Sequence, residues 1–395
     1  MKILEINKFF SARRGAERHF LDLITLLEKD GQEVAVFSMR HPENMPSPWE
    51  KYFVSHVGYN SDDSTLCERI MGTGRLFWSF EARRNMKAII NDFRPELVHV
   101  HNAYHQLSLS FFPIIKKAGI PLVMTVHDYA CISPDKDTYY PEVGRQYWKF
   151  LLVQKYSIGK RLLLIVKKYW EESCGFYDNV DHFIIPSRYV KNIFLSAGVS
   201  EEKMTVLPHF IPESDEGSGE NRERKLPKEY LFSFGAISKE KGIDTLLQIS
   251  ASTHIPLVLA GRIEGDFDVE KYPNVIYLGM QNRFELNGLI KNAAAVVSAS
   301  ELPETFGLTA LETVSLGKPF FALDRGALSE IITNGENGFL AKDRAELETI
   351  INRFLSGEIR VATPEILRNT ASERFGARTY LGQFQPLSES LTRKS

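Results

Sequence analysis

At 395 residues with 43% hydrophobic content, the chain is too long for one modest core and is expected to divide into two packed domains. Its 48 basic and 50 acidic residues nearly cancel, which excludes a global field for nucleic acid and leaves binding to local groups. The three cysteines, Cys67, Cys131 and Cys174, lie far apart, lack the paired spacing of a zinc site, and suit a reducing, cytoplasmic compartment.

The opening MKILEINKFF carries one lysine and then a strand-like run, so no cleavable leader is expected. No stretch approaches the ~18 uninterrupted apolar residues of a membrane span. Short apolar runs alternate with amphipathic stretches, the pattern of parallel strands joined by crossover helices. KILEI, EVAVFSM, ELVHVHN, PLVMTVHD, HFIIPS and MTVLPHF are the candidate strands of a first series. Between the first two lies GAERHFLDLITLLEKDG, whose Phe20, Leu23, Ile24 and Leu27 recur at helical spacing before Gly31 stops the helix. Residues 212–229, PESDEGSGENRERKLPKE, contain no large apolar residue except Leu226 and read as a solvated linker. A second series follows: YLFSFGAI, a helix from about Gly242, IPLVLAG, NVIYLG, a helix near 284–292, AAVVSAS, a helix from about Phe306, PFFALD and a helix near 326–333. The chain reads as an α/β protein of two successive Rossmann-like domains, 1–211 and 230–370, with an amphipathic helical tail over 371–395.

The stretch after AAVVSAS carries the most chemistry. ELPET is a turn at the carboxyl end of a buried parallel strand, where open α/β sheets bind ligands, and FGLTALETVSLGKP is a helix stopped by Gly317 and Pro319. The amides around Phe306, Gly307 and Leu308 open that helix, so an anion such as phosphate is expected against them. Glu304 and Glu312 then flank the anion. Carboxylates do not bind phosphate; the hydroxyls of a sugar and a ribose suit them. A loop glutamate and a solvated helix position would explain a lone Glu-x7-Glu as well. SFGAISKEKGIDTLL adds a second anion-capable turn, with Lys241 and Gly242 between a strand and its helix.

With these residues in place, the chain resembles the family-four retaining glycosyltransferases of the two-Rossmann, GT-B type, also called glycosyl transferases group 1. RRGAERHFLDLITLLEKDGQEVAVFS is similar to their N-terminal glycine loop and helix, and ELVHVHN and PLVMTVHDY to their acceptor-side strands. IIPSRYVKNIFLSAGVSEEKMTVLPHFIP is similar to their interdomain approach, and ETFGLTALETVSLGKPFFALDRGALSEIITNGENGFL to their donor site. The resemblance implies two domains facing across a cleft, with a C-terminal helix returning to the first. It implies transfer of a sugar, with retention, from a nucleoside diphosphate to a saccharide acceptor in capsule, O-antigen or exopolysaccharide synthesis. Glu304 would contact the transferred sugar, Glu312 the ribose, and the amides of Phe306, Gly307 and Leu308 sugar and phosphate. Lys241 would hold the diphosphate, His127 would lie near the anomeric carbon, and no metal or organic cofactor is expected.

Two positions depart from the family pattern. Ala236 stands where the family usually has an arginine on the diphosphate, and Arg262 in LAGRIEG is the expected substitute. Arg14-Gly15 stands where two glycines are common, so Gly15 alone must give the close backbone approach. The missing arginine keeps a non-catalytic sugar-nucleotide-binding subunit open, and a sugar-nucleotide epimerase of the same architecture is the other alternative. Asp135 and Asp137 have Asp-x-Asp spacing but read as a polar loop beside Pro134. His99, His101 and His105 fit acceptor contact or strand-edge packing alike. Residues 145–170 carry seven Lys/Arg, no acid and many large apolar side chains. They read either as a surface helix in an anionic membrane leaflet or as a core-packed helix with solvated lysines. The membrane reading makes the enzyme peripheral on the inner leaflet and its acceptor lipid-linked.

Overall fold

The computed structural model describes residues 1–12, 15–57, 66–212, 226–253, 255–265 and 267–393. Arg13 and Arg14, before Gly15, and most of the expected linker, 213–225, lie outside the described residues. The chain divides into two compact units, Met1–Leu207 with Leu381–Ser395, and Pro208–Tyr380. Among the described residues no helix is long and apolar enough to cross a membrane.

In the first unit β1 (Lys2–Ile6), α1 (Gly15–Lys29) and β2 (Glu33–Phe37) form a βαβ start, followed by α2 (Leu66–Phe77), α3 (Phe80–Phe93), β3 (Leu97–Val100), α4 (Phe112–Lys117) and β4 (Leu122–Thr125). Then come α5 (Ile158–Ser173), β5 (His182–Ile185), α6 (Arg188–Ser196) and β6 (Met204–Val206). All strands are parallel, in the order β2-β1-β3-β4-β5-β6. Every residue of β3, β4 and β5 is buried, which is why these segments read as apolar runs and not as alternating patterns. Ser79 and Ser187 cap α3 and α6 by accepting from the amides of Ala82 and Val190. The sheet sits between two clusters, one built around Phe37, Met86, Phe112 and Phe194, the other around Phe10, Phe20 and Phe53.

The second unit runs β7 (Leu231–Phe234), α7 (Ile243–Ser252), β8 (Leu257–Ala260), β9 (Val275–Tyr277), α8 (Arg283–Asn292), β10 (Ala295–Ser298), α9 (Leu308–Ser315), β11 (Phe320–Leu323) and β12 (Gly338–Ala341). It closes with α10 (Arg344–Leu355), α11 (Pro364–Phe375) and the first residues of α12 (Ala377–Thr392), whose remainder groups with the first unit. Its parallel sheet has the order β12-β11-β10-β7-β8-β9, so strand succession reverses between β7 and β10. Such a reversal is where doubly wound sheets open a ligand crevice.

The helix expected near 326–333 is instead a short 3-10 turn, Ala327–Glu330. Ile331 and Ile332 behind it are spent in the core, and Asn337 ties the next turn to Thr333 and Ile331. The helix placed at Phe306 begins two residues later, because Gly307 is left-handed at φ 104 and caps it from outside. β12 escaped the sequence reading, being four residues between polar turns.

Candidate functional site

Two of the expected donor-site residues meet at the β7–β10 reversal of the second sheet. Lys241 follows β7, Glu304 follows β10, and the Lys241 Nζ lies 2.6 Å from the Glu304 Oε1. The two loops touch along their backbones. Gly242, the cap of α7 at φ 75, would place a Cβ 1.8 Å from the Ala299 oxygen, and the Glu301 amide donates to the Glu240 carbonyl at 3.1 Å. With side chains 36% and 26% exposed, this pair is worth at most about 1 kcal/mol. A binding anion can therefore take Lys241 from Glu304 at little cost.

The backbone of Glu304 is held on its other side. Its amide donates to the Arg325 carbonyl at 3.3 Å, its carbonyl accepts from Ala327 at 2.9 Å, and Gly326 packs against it with φ 75 and ψ −130. The Phe306 ring is buried between His209 and Phe375, with centroids 5.0 and 5.9 Å away. Phe306 thus anchors the turn, and its ring is not available to a ligand. Leu308 opens α9, where the first amides have no acceptor within the helix, and Glu312 lies one turn above Leu308 on the same face, half-buried. Arg262 follows β8, next to β7, and its carbonyl accepts from Ile237 at 2.9 Å. Its side chain is exposed. Ala236 is exposed in the β7 turn.

The first unit places Gly15 at the start of α1 and His127 two residues past β4, half-buried. The His127 Nε2 is 2.8 Å from the His101 Nδ1, and both His99 and His101 bond to Glu5. Glu5 was missed in the sequence, although an acid inside the apolar strand KILEI was a signal. His105 is held well below the usual histidine range by burial and by nearby lysines, Lys167 first. Asp135 accepts from the Lys155 Nζ at 2.9 Å and from the hydroxyls of Tyr156 and Tyr140 at 3.1 and 3.2 Å, and Asp137 pairs with Lys136.

Residues 145–170 differ from either simple expectation. They form a 3-10 helix, Tyr147–Leu152, and most of α5. Lys167 and Lys168 are not surface cations: Lys167 pairs with Glu171, and the Lys168 Nζ donates to the carbonyls of Ala130 and Cys131 at 2.9 and 2.6 Å. Burial pushes the Lys168 amine below its ordinary range. The apolar side chains face outward instead. Ile158, Leu162, Val166 and Trp170, four apart along one helical face, are 65%, 47%, 55% and 41% exposed, with Trp148 and Leu152 exposed beside them in sequence.

Residues 13–215 match the family model described as Glycosyltransferase Family 4, and residues 218–374 match the model for Glycosyl transferases group 1. An uncharacterised 41.2 kDa protein of the cps region of Klebsiella pneumoniae is 22% identical over 62% of this chain and 64% of its own length. The α-monoglucosyldiacylglycerol synthase of Streptococcus pneumoniae is 25% identical over 93% of this chain and 79% of its own. Among solved structures, Anabaena HepE in complex with UDP and glucose superposes with a TM-score of 0.64 at 18% identity, covering 99% of this chain and 100% of that one.

Proposed function

The chain belongs to Glycosyltransferase Family 4, and from that premise we propose that it transfers a sugar, with retention, from a nucleoside diphosphate to a lipid-linked saccharide acceptor in surface-polysaccharide or glycolipid synthesis. The observation that carries the donor half is the meeting of Lys241 and Glu304 at the strand reversal of the second sheet, beside the start of α9. Departure of a nucleoside diphosphate builds negative charge on its β-phosphate. Lys241 and the amides of Phe306, Gly307 and Leu308 supply fixed positive ends for it, and Glu304, released from Lys241, orients the sugar hydroxyls. Glu312 holds the ribose. Arg262, on the neighbouring strand end, replaces the cation absent at Ala236. In this reading the protein's own cations and amides carry the leaving charge, with no metal assigned, and His127 contacts the reacting sugar. HepE, whose structure holds UDP and glucose, supports a uridine nucleotide as the first donor to test.

Titration calorimetry tests the donor half. Lys241→Ala is expected to weaken nucleoside diphosphate binding by about 1.5–3 kcal/mol, as for a lost charged hydrogen bond, and to leave binding of the matching nucleoside unchanged. Arg262→Ala is expected to show the same signature at smaller size. Equal losses for both ligands would remove Lys241 from the phosphate site.

The lipid-linked acceptor rests on the outward apolar face of α5. With Lys167 and Lys168 buried, the segment keeps few solvated cations, among them Lys160 and Arg145, so attachment to the inner leaflet is mainly apolar burial, at roughly 1.5–3 kcal/mol for each large side chain fully inserted. Flotation with anionic vesicles should show binding that salt weakens only modestly and that Leu162→Ser with Val166→Ser reduces about tenfold or more. Absence of binding at low salt would end the membrane proposal and leave the transferase untouched. The synthase of S. pneumoniae, named for a glucosylated diacylglycerol, lends support to a lipid acceptor.

A further inference from the structure

The first sheet contains a row of polar groups that the donor site does not use. Glu5 on β1 stands in register with His99 on β3, and His101 follows two residues on, toward the same face. All three are 0% exposed, and α1 and α12 cover them: the Phe20 ring lies 5.1 Å from that of His101 and the Phe384 ring 5.7 Å from that of His99. The Glu5 carboxylate faces the His99 Nδ1 at 3.0 Å and the His101 Nε2 at 3.1 Å. An ionised carboxylate only accepts, so each of these ring nitrogens must carry its proton. Burial alone would raise the Glu5 pKa, but His99 and His101 outweigh it and hold the carboxyl at about 2. Burial first, and His99 second, push His101 down to about 4, so this ring is neutral near pH 7 and has one proton. That proton being on Nε2, its Nδ1 is an acceptor. The partner 2.8 Å away is the His127 Nε2, which must therefore donate. His99 closes the other branch, its Nε2 lying 2.7 Å from the Thr125 hydroxyl oxygen.

We propose that Glu5 and His101 are positioning residues for His127: the row fixes the His127 proton on Nε2 and so makes Nδ1 a hydrogen-bond acceptor for a hydroxyl of the reacting sugar. The inference rests on the reading of His127 as sugar-contacting. A chain of donors ending on a buried carboxylate sets both tautomer and ring orientation, which a lone histidine at a strand end would not hold. Glu5, His99 and His101 also lie close enough to ligate a divalent cation. Both carboxylate oxygens and all four ring nitrogens are already consumed in the row, and an ion would have to displace the two bonds to Glu5.

Long-range ¹H–¹⁵N spectra of the full chain labelled at histidine test this without reference to catalysis, with the His127 signals identified by their loss in His127→Gln. In the wild type, His127 and His101 should both carry the proton on Nε2. Glu5→Gln leaves one acceptor where there were two, so one histidine must turn; Thr125→Val in the same chain removes the partner that would let His99 be the one. In that double variant the His127 proton should move to Nδ1, whereas Thr125→Val alone should keep the wild-type pattern. Turnover of the double variant should fall on the order of 10²-fold against Thr125→Val, with KM for the donor nearly constant. A wild-type His127 protonated on Nδ1 overturns the proposal whether or not the variants fold. So does a spectrum that changes on treatment with EDTA, which would make the trio a cation site. A proton shift with undiminished turnover overturns the sugar-contacting role of His127, and leaves the donor assignments of the second unit standing.

Discussion

Glu304→Ala is expected to lower turnover about 10³-fold while changing nucleoside diphosphate affinity by no more than about threefold. The reason lies in what the side chain touches. Its partner in the structure is Lys241, at 2.6 Å, and the proposed donor takes that lysine with its diphosphate and offers sugar hydroxyls to the carboxylate in exchange. Removing Glu304 frees Lys241, which slightly favours the nucleotide, yet leaves the sugar without its orienting acceptor when the transition state forms. Glu312→Ala should do the reverse, costing nucleotide affinity by about 1.5–3 kcal/mol through lost charged hydrogen bonds to ribose. Steady-state turnover beside calorimetry with the diphosphate reads both. Loss of nucleotide binding in Glu304→Ala, with turnover per bound donor intact, would reverse the assignment of the two carboxylates.

Gly326→Ala is expected to destabilise the second unit by roughly 3 kcal/mol or more and to inactivate the enzyme without touching any ligand. At φ 75 and ψ −130 the position lies in a region that side chains avoid, and an added Cβ would stand 2.3 Å from the Glu304 oxygen and 2.5 Å from its nitrogen. Those are backbone atoms and cannot rotate aside, so the clash must lift the loop that presents Glu304 or open the turn before Ala327. Gly335→Ala is the control: φ is 82 there, but nothing lies within 4 Å of the added carbon, so only the backbone strain of about 1–2 kcal/mol is expected. Chemical denaturation monitored on the second unit separates the two. Equal stability of both variants would show that close approach at Gly326 does not hold the Glu304 loop.

Sequence showed the parts of this site that are local, and missed those set by strand order. Phe306, Gly307, Leu308 and Glu312 form one turn and the helix it opens, so glycine, apolar anchor and helix start could be read together. The contact between Lys241 and Glu304 spans 63 residues and exists because β10 returns to lie beside β7. Glu5 meets His99 and His101 across 94 and 96 residues for the same reason, β3 lying against β1. Composition misled at Lys167 and Lys168. A count of charges treats each lysine as solvated, whereas α5 turns these two inward to Glu171 and to backbone carbonyls and presents Leu162 and Val166 outward. The expected helix near 326–333 failed because its apolar residues serve a turn around Gly326, and periodicity does not report a positive φ.

The pairing of Lys241 with Glu304 also bears on how the enzyme would let go of what it has used. In the proposed donor complex, while the donor is whole, its sugar would occupy Glu304 and its diphosphate Lys241, so neither charge would lack a counterpart. Once the sugar has left, the carboxylate faces a diphosphate with no hydroxyls to accept from, and the nearest cation is the one that diphosphate holds. Glu304 then competes for Lys241 and repels the β-phosphate, so the spent nucleotide is loosened by the residue that had oriented the intact one. On the proposed reading, recovery of the resting ion pair is a built-in step of product departure, and the enzyme favours donor over its own leaving group without a second binding pocket.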